Sequence, residues 1–79
     1  MLTSTQAFAA AGNAECARIA AAMGVHPRLQ AAVENIALHA YERANGPLVG
    51  APDWSAIVAW LVANAPAILQ VILMVISVF

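Results

Sequence analysis

Three side chains in this sequence belong to types that bind metal ions or attack substrates, namely Cys16, His26 and His39. Ligands on one helix reach a common ion when they are spaced i, i+4 or form a Glu-x-x-His motif, and neither pattern occurs here. The chain also has no Gly-rich phosphate loop, catalytic triad or carboxylate pair. We therefore predict no enzymatic activity, metal site, cofactor or small-molecule substrate. Both histidines are expected on helix surfaces, and Cys16 is expected to be a small packing residue.

The composition is unusually apolar for a chain of 79 residues. Hydrophobic residues make up 63% of it, charged residues only 9%, and its mean hydropathy is +0.81, whereas soluble domains carry about a quarter charged residues. A lipid phase or partner chains must therefore cover much of the surface. The net charge is −1, with only three basic residues, all Arg, which is too few for the clustered basic residues of a nucleic-acid site or a polybasic lipid-binding patch.

Residues 1–46 are predicted to form an amphipathic, Ala-rich helical hairpin. The first helix should run from Ser4 to Met23, begin with a Thr3/Gln6 capping box and end at Gly24 in the left-handed conformation. The second should begin at Pro27 and stop at Asn45-Gly46-Pro47. Apolar residues recur along both helices at helical spacing, so we expect one face to dock on partner chains. This docking face comprises Phe8, Ile19, Met23, Leu29, Val33 and Ile36.

Residues 47–53 are predicted to be a Pro/Gly linker, and residues 54–79 a C-terminal transmembrane helix capped by Asp53. These 26 residues contain no charge and would extend about 39 Å as one helix, against a hydrocarbon core of about 30 Å. Trp54 and Trp60 lie near the start, where indole rings favour the membrane interface. Pro66 is expected to kink the helix near Val62.

Two sides of this C-terminal segment (residues 54–79) differ in character. Bulky aliphatic residues such as Ile57, Leu61 and Ile72 are expected to face lipid. The other side carries small and polar residues, which allow close helix packing in lipid and predict a helix–helix interface. This small-residue stripe consists of Ala56, Ala59, Ala63, Ala67, Gln70 and Ser77. Whether Asn64 and Gln70 bond a partner helix or line a conduction path is left open.

The predicted class is therefore all-α, with a helical hairpin followed by one transmembrane helix. The predicted function is that of a non-catalytic, single-span, membrane-anchored structural subunit. It would dock in a larger assembly, either as an accessory subunit of a membrane complex or as a virion or phage component. Its partners would be lipid and other subunits or copies of itself, with no nucleic acid. The span ends the chain, so the hairpin is expected in the cytoplasm or on the side of synthesis.

Two other functions are compatible with the same residues. A single helix with an Ala stripe could oligomerise into a pore of the holin or lysis type, although Asn64, Gln70 and Ser77 supply few polar groups for a lumen. Alternatively, the chain could form a soluble oligomer in which helix 54–79 is the buried core.

Overall fold

Five helices and no strands make up the computed structural model, which describes residues 1–79. The all-α class predicted from the sequence is confirmed. The helices are α1 (Ser4–Ala10), α2 (Ala14–Val25), α3 (Pro27–Asn45), α4 (Trp54–Asn64) and α5 (Pro66–Val78).

Local capping signals place the starts of α1 and α4 where the sequence predicts them. The Thr3 hydroxyl oxygen accepts from the Gln6 backbone N–H at 3.1 Å, and the Gln6 side-chain oxygen accepts from the Thr3 N–H at 3.0 Å. This is the predicted capping box. The Asp53 carboxylate accepts from the Ala56 N–H at 3.3 Å, which confirms it as the N-cap of α4.

The first predicted helix is wrong in its continuity, because residues 11–13 divide it into α1 and α2. Gly12 has φ +68°, a left-handed conformation that glycine adopts at little cost. The Asn13 side-chain oxygen then accepts from the Cys16 N–H at 3.1 Å and caps α2. The Gly-Asn pair thus ends one helix and begins the next, and the chain can turn between them.

The expected left-handed end at Gly24 is also wrong, since α2 continues to Val25 and Gly24 does not have a positive φ. His26 is extended instead, with φ −123° and ψ 102°. Proline disfavours helical geometry in the residue before it. Pro27 therefore both stops α2 and occupies the first position of α3, as predicted for that helix.

The single helix expected over residues 54–79 is two helices that meet at Ala65. α4 ends at Asn64, and Pro66 begins α5, so proline separates two helices rather than kinking one near Val62. No single helix is long and apolar enough to cross a bilayer. α4 and α5 together have the length and composition to do so, but they are bent by 107° relative to each other.

This bend returns α5 to the body of the protein, where it packs against α2, α3 and α4. The radius of gyration is 11.3 Å, close to the value of about 12 Å expected for a folded chain of this length. The core is continuous across all five helices and includes Phe8, Ile19, Val33, Leu61 and Ile72. The C-terminal segment therefore supplies part of the core that the N-terminal helices need.

Candidate functional site

Large apolar side chains lie on the exposed side of α5 as well as on its buried side. Leu69 and Ile72 are fully buried, yet the exposed side carries Val71 at 44%, Met74 at 68% and Val78 at 86% exposure. We call these three residues the outer face of α5. Large apolar residues that are exposed together mark sites of contact with a protein or a membrane. This face is therefore the strongest candidate for a binding surface.

The small-residue stripe predicted from the sequence lies beside this outer face. All six members, Ala56, Ala59, Ala63, Ala67, Gln70 and Ser77, are exposed. Their contact with another helix stays a prediction. The aliphatic side was expected to face lipid, but Ile57, Leu61 and Ile72 are buried within the chain. Because the N-terminal helices are themselves apolar on one side, they cover these residues in place of lipid.

The predicted docking face of the N-terminal hairpin is occupied by the protein's own helices. Five of its members are buried and Ile36 is partly buried against the same core. The buried members are Phe8, Ile19, Met23, Leu29 and Val33. In the folded chain these side chains stabilise the core and present no free surface to a partner.

One side-chain hydrogen bond joins α5 to the N-terminal helices. The Gln70 amide nitrogen donates to the Glu15 carboxylate on α2, so this stripe residue is engaged within the chain. Asn64 donates to the Trp60 carbonyl of its own helix at 3.3 Å. Neither amide is therefore without a partner in the folded form.

The end of α5 contacts the turn between α2 and α3. The rings of Phe79 and His26 have centroids 5.6 Å apart at an interplanar angle of 54°. Phe79 is nevertheless 56% exposed, and the adjoining Val25 is 71% exposed. Apolar surface therefore continues from the outer face of α5 to this end of the molecule.

A shallow apolar groove of about 360 Å³ runs between α1 and α4. Small residues make up most of its walls. Its lining consists of Leu2, Ala7, Ala10, Ala11, Ser55, Val58, Ala59 and Val62. It has one hydroxyl and no charge, so it has no group that would orient a reacting substrate.

The three side chains with reactive chemistry lie in different surroundings. Cys16 is fully buried, His26 contacts Phe79, and His39 borders an open depression with Glu42 and Arg43. No group of three His, Cys, Asp or Glu side chains is arranged to hold a metal ion. Burial and then the nearby Glu15 charge raise the pKa of the Cys16 thiol, which disfavours the nucleophilic thiolate.

Cys16 should react with iodoacetamide at least roughly tenfold more slowly in the folded chain than in urea, because the reagent needs an accessible thiolate. Because burial raises the pKa of this thiol in the folded chain, the thiol ionises at a lower pH in the unfolded chain. The free energy of unfolding should therefore fall as the pH rises above the ordinary pKa of 9.0. Mass spectrometry of timed alkylation checks the first statement. Equal rates with and without urea would contradict the burial of Cys16.

A polar cluster joins the start of α1 to α3. The fully buried Ser4 hydroxyl donates to the Glu34 carboxylate at 2.5 Å. The Gln30 amide nitrogen lies 3.4 Å from the same carboxylate oxygen. Every buried side-chain polar atom has a hydrogen-bond partner. The cluster therefore fixes how α1 sits on α3, and its hydroxyl is not accessible to a substrate.

Replacing Ser4 with Ala should lower the free energy of unfolding by about 1–3 kcal/mol, because the partly buried Glu34 carboxylate loses its closest donor. Ser55→Ala is the matched control, since Ser55 is exposed, and its effect should stay within about 0.5 kcal/mol. Urea unfolding followed by circular dichroism measures both. Equal effects would show that the Ser4–Glu34 bond does not stabilise the fold.

The long-range polar contacts were not predicted from the sequence. Gln70 and Glu15 are 55 residues apart, and Ser4 and Glu34 are 30 apart. Uncharged partners such as Ser and Gln give no charge pattern that would pair them. The only available signal was that each lies on a predicted helix, which leaves many other pairings open.

The fold and the candidate surface together define an all-α protein of five helices with an apolar exposed face on its C-terminal helix. No protein-family model, curated protein or solved structure matches the chain.

Proposed function

We propose that this protein is a non-catalytic, membrane-anchored structural subunit whose C-terminal segment contacts lipid and docks the chain in a larger assembly. One observation carries the proposal: α5 is apolar on its outer face as well as on its buried side. Exposing such a face to water is unfavourable by roughly 25 cal/mol per Å² of apolar surface. Contact with lipid or with another apolar helix removes that cost.

The distribution of charge supports a membrane as the surrounding medium. Every charged side chain lies before residue 54, and none lies in residues 54–79. A Lys, Arg or Asp at the centre of a membrane-spanning helix costs about 2.5–3.5 kcal/mol. The uncharged residues 54–79 can therefore enter a bilayer while α2 and α3 keep their charges in water, on the side where the chain was made.

Two biological settings fit this proposal. An accessory subunit of a membrane complex would occur once in each complex, whereas a virion or phage component would occur in many symmetry-related copies. The number of copies in the purified assembly separates them.

A second candidate is a soluble oligomer in which the C-terminal segment forms a buried core. It is favoured by the burial of Ile57, Leu61 and Ile72 within the single chain. In this case copies of the chain would cover the outer face of α5 for one another, and no lipid would be needed.

Extraction of membranes with alkaline carbonate tests the proposal against this second candidate. A tagged chain anchored through its C-terminal segment should stay in the pellet, because carbonate releases proteins held by surface contacts and leaves inserted segments in place. Full release into the supernatant, with the chain still folded, would contradict the anchor and support the soluble oligomer.

Ala63→Leu should weaken docking, because Ala63 is an exposed member of the small-residue stripe and a larger side chain prevents close helix approach. Ala31→Leu on the exposed side of α3 is the matched control. Purification in mild detergent, with quantified recovery of associated chains and of cross-linked copies, measures the effect. Equal recovery for the two variants would count against the stripe as an interface.

A further inference from the structure

We propose that the break at Ala65 and Pro66 is a hinge, at which α5 leaves the core and aligns with α4 as one membrane-spanning helix. The inference rests on the proposed function and adds how the anchor is stored before it enters a membrane. In the folded form α5 packs on the core of the protein, and in the aligned form α5 continues α4 through the bilayer.

The backbone at the break lets the two helices rotate relative to each other with little loss of hydrogen bonding. Ala65 is not helical, with φ −138° and ψ 55°, and its N–H bonds to the Leu61 carbonyl at 2.9 Å. Pro66 has no N–H, so no bond from its nitrogen has to break when the angle opens. Proline disfavours a helical residue before it, which favours the bent form in water. Membrane spans nevertheless tolerate proline within a helix.

α5 is attached to the rest of the molecule by fewer buried side chains than α4. Only Leu69 and Ile72 of α5 are buried, and its other core contacts are partly buried side chains. The buried side chains of α4 are Trp54, Ile57, Val58 and Leu61. One side-chain hydrogen bond, between Gln70 and Glu15, joins α5 to the N-terminal helices. The end of α5 is also held by the contact of Phe79 with His26.

Lipid can replace the contacts that α5 makes in the core. The aligned span includes α4 as well as α5, so leaving the core for water would expose Leu69 and Ile72 of α5 and Leu61 of α4, which the hydrophobic effect opposes. Leaving it for hydrocarbon does not, because lipid tails are as apolar as the side chains they replace. The aligned pair has the length and apolar composition of a span, so the same residues suit both environments.

Spin labels on Val25 and Val78 test the hinge directly. Both positions are highly exposed and adjoin the His26–Phe79 contact. In buffer the labels should therefore be on the order of 15 Å apart. In the aligned form the end of α5 lies about 20 Å from the hinge and a full span from the start of α4 and the N-terminal helices, so the separation should rise to about 30 Å or more. The labelled chain carries Val25→Cys and Val78→Cys with Cys16→Ala.

The measurement is pulsed electron paramagnetic resonance, first in buffer and then on phosphatidylcholine vesicles isolated by flotation. Flotation with the longer distance supports the hinge. Flotation with the short distance overturns the hinge and leaves the membrane anchor standing. Failure to float overturns both. A second label pair on Val25 and Ala31, both outside α5, should keep one distance in both conditions and shows that α2 and α3 stay folded together.

Pro66→Ala provides a second test that does not depend on the labels. Because alanine permits a continuous helix where proline disfavours it, the variant should bind vesicles several-fold faster than the parent chain. Slower binding by a variant with normal helicity in buffer would overturn the hinge.

Discussion

Phe8→Ala should lower the free energy of unfolding of the isolated chain by about 3–5 kcal/mol, because it removes a fully enclosed aromatic ring and leaves a cavity. A domain of this size has a total free energy of unfolding of roughly 4–12 kcal/mol, so the variant should lose a large part of its stability. Chemical unfolding followed by circular dichroism measures the change.

Phe79→Ala is the matched control for the same residue type. Phe79 is half exposed and contacts His26 by its ring, so its loss should cost less than about 1 kcal/mol. If Phe8 formed a docking face for partner chains, as its spacing alone suggests, its replacement would leave the isolated chain stable. Equal stability of the two variants would therefore contradict the core described here.

Ala63→Lys should remove the chain from the carbonate-resistant membrane fraction. Ala63 is exposed, so the folded chain accommodates lysine, but the position lies near the middle of residues 54–79. A lysine there opposes insertion by about 2.5–3.5 kcal/mol, which corresponds to a roughly 60- to 300-fold lower partition into the membrane. Quantitative immunoblotting of pellet and supernatant measures the partition.

Ala21→Lys is the control for this charge. Ala21 is also an exposed helical alanine, but it lies on α2, which we expect to stay in water. The Ala21→Lys variant should therefore be retained in the pellet to the same extent as the parent chain. Retention of both lysine variants in the pellet would contradict insertion of the C-terminal segment. Loss of both variants from the pellet would show that the effect of the added charge does not depend on its position in the chain.

Local chemistry explains which helix boundaries could be predicted. Thr3, Asp53 and Pro27 act within one turn of their own helix, so neighbouring residues suffice to identify them. Asn13 uses the same chemistry as Thr3. It was missed because the surrounding alanines favour a continuous helix and the positive φ of Gly12 was not anticipated.

The bend at Ala65 is a second helix boundary that the sequence did not predict. His26-Pro27 and Ala65-Pro66 have the same local form, and each proline begins a helix. The first was recognised because Gly24 and the polar His26 precede it within a short turn. The second lies in an uncharged run of 26 residues, whose length favoured a single span. Only the packing of α5 on α2 and α3 distinguishes the two possibilities.

The spacing identifies the aliphatic side of the C-terminal segment, but that side was predicted to face lipid and is buried within the chain. Aliphatic and small residues do separate onto different sides, as the spacing predicts. A periodic pattern, however, cannot tell whether lipid or protein covers an aliphatic side. Here Leu61 and Ile72 meet side chains from the N-terminal helices, which the sequence alone assigned to partner chains.

Flotation of the purified chain with phosphatidylcholine vesicles tests the central claim most directly, because no other protein is present to carry it. If the C-terminal segment is a membrane anchor, we expect the chain to migrate with the vesicles and to stay with them after a carbonate wash. A chain that is folded by circular dichroism, yet stays at the bottom of the gradient at every lipid concentration, would contradict it.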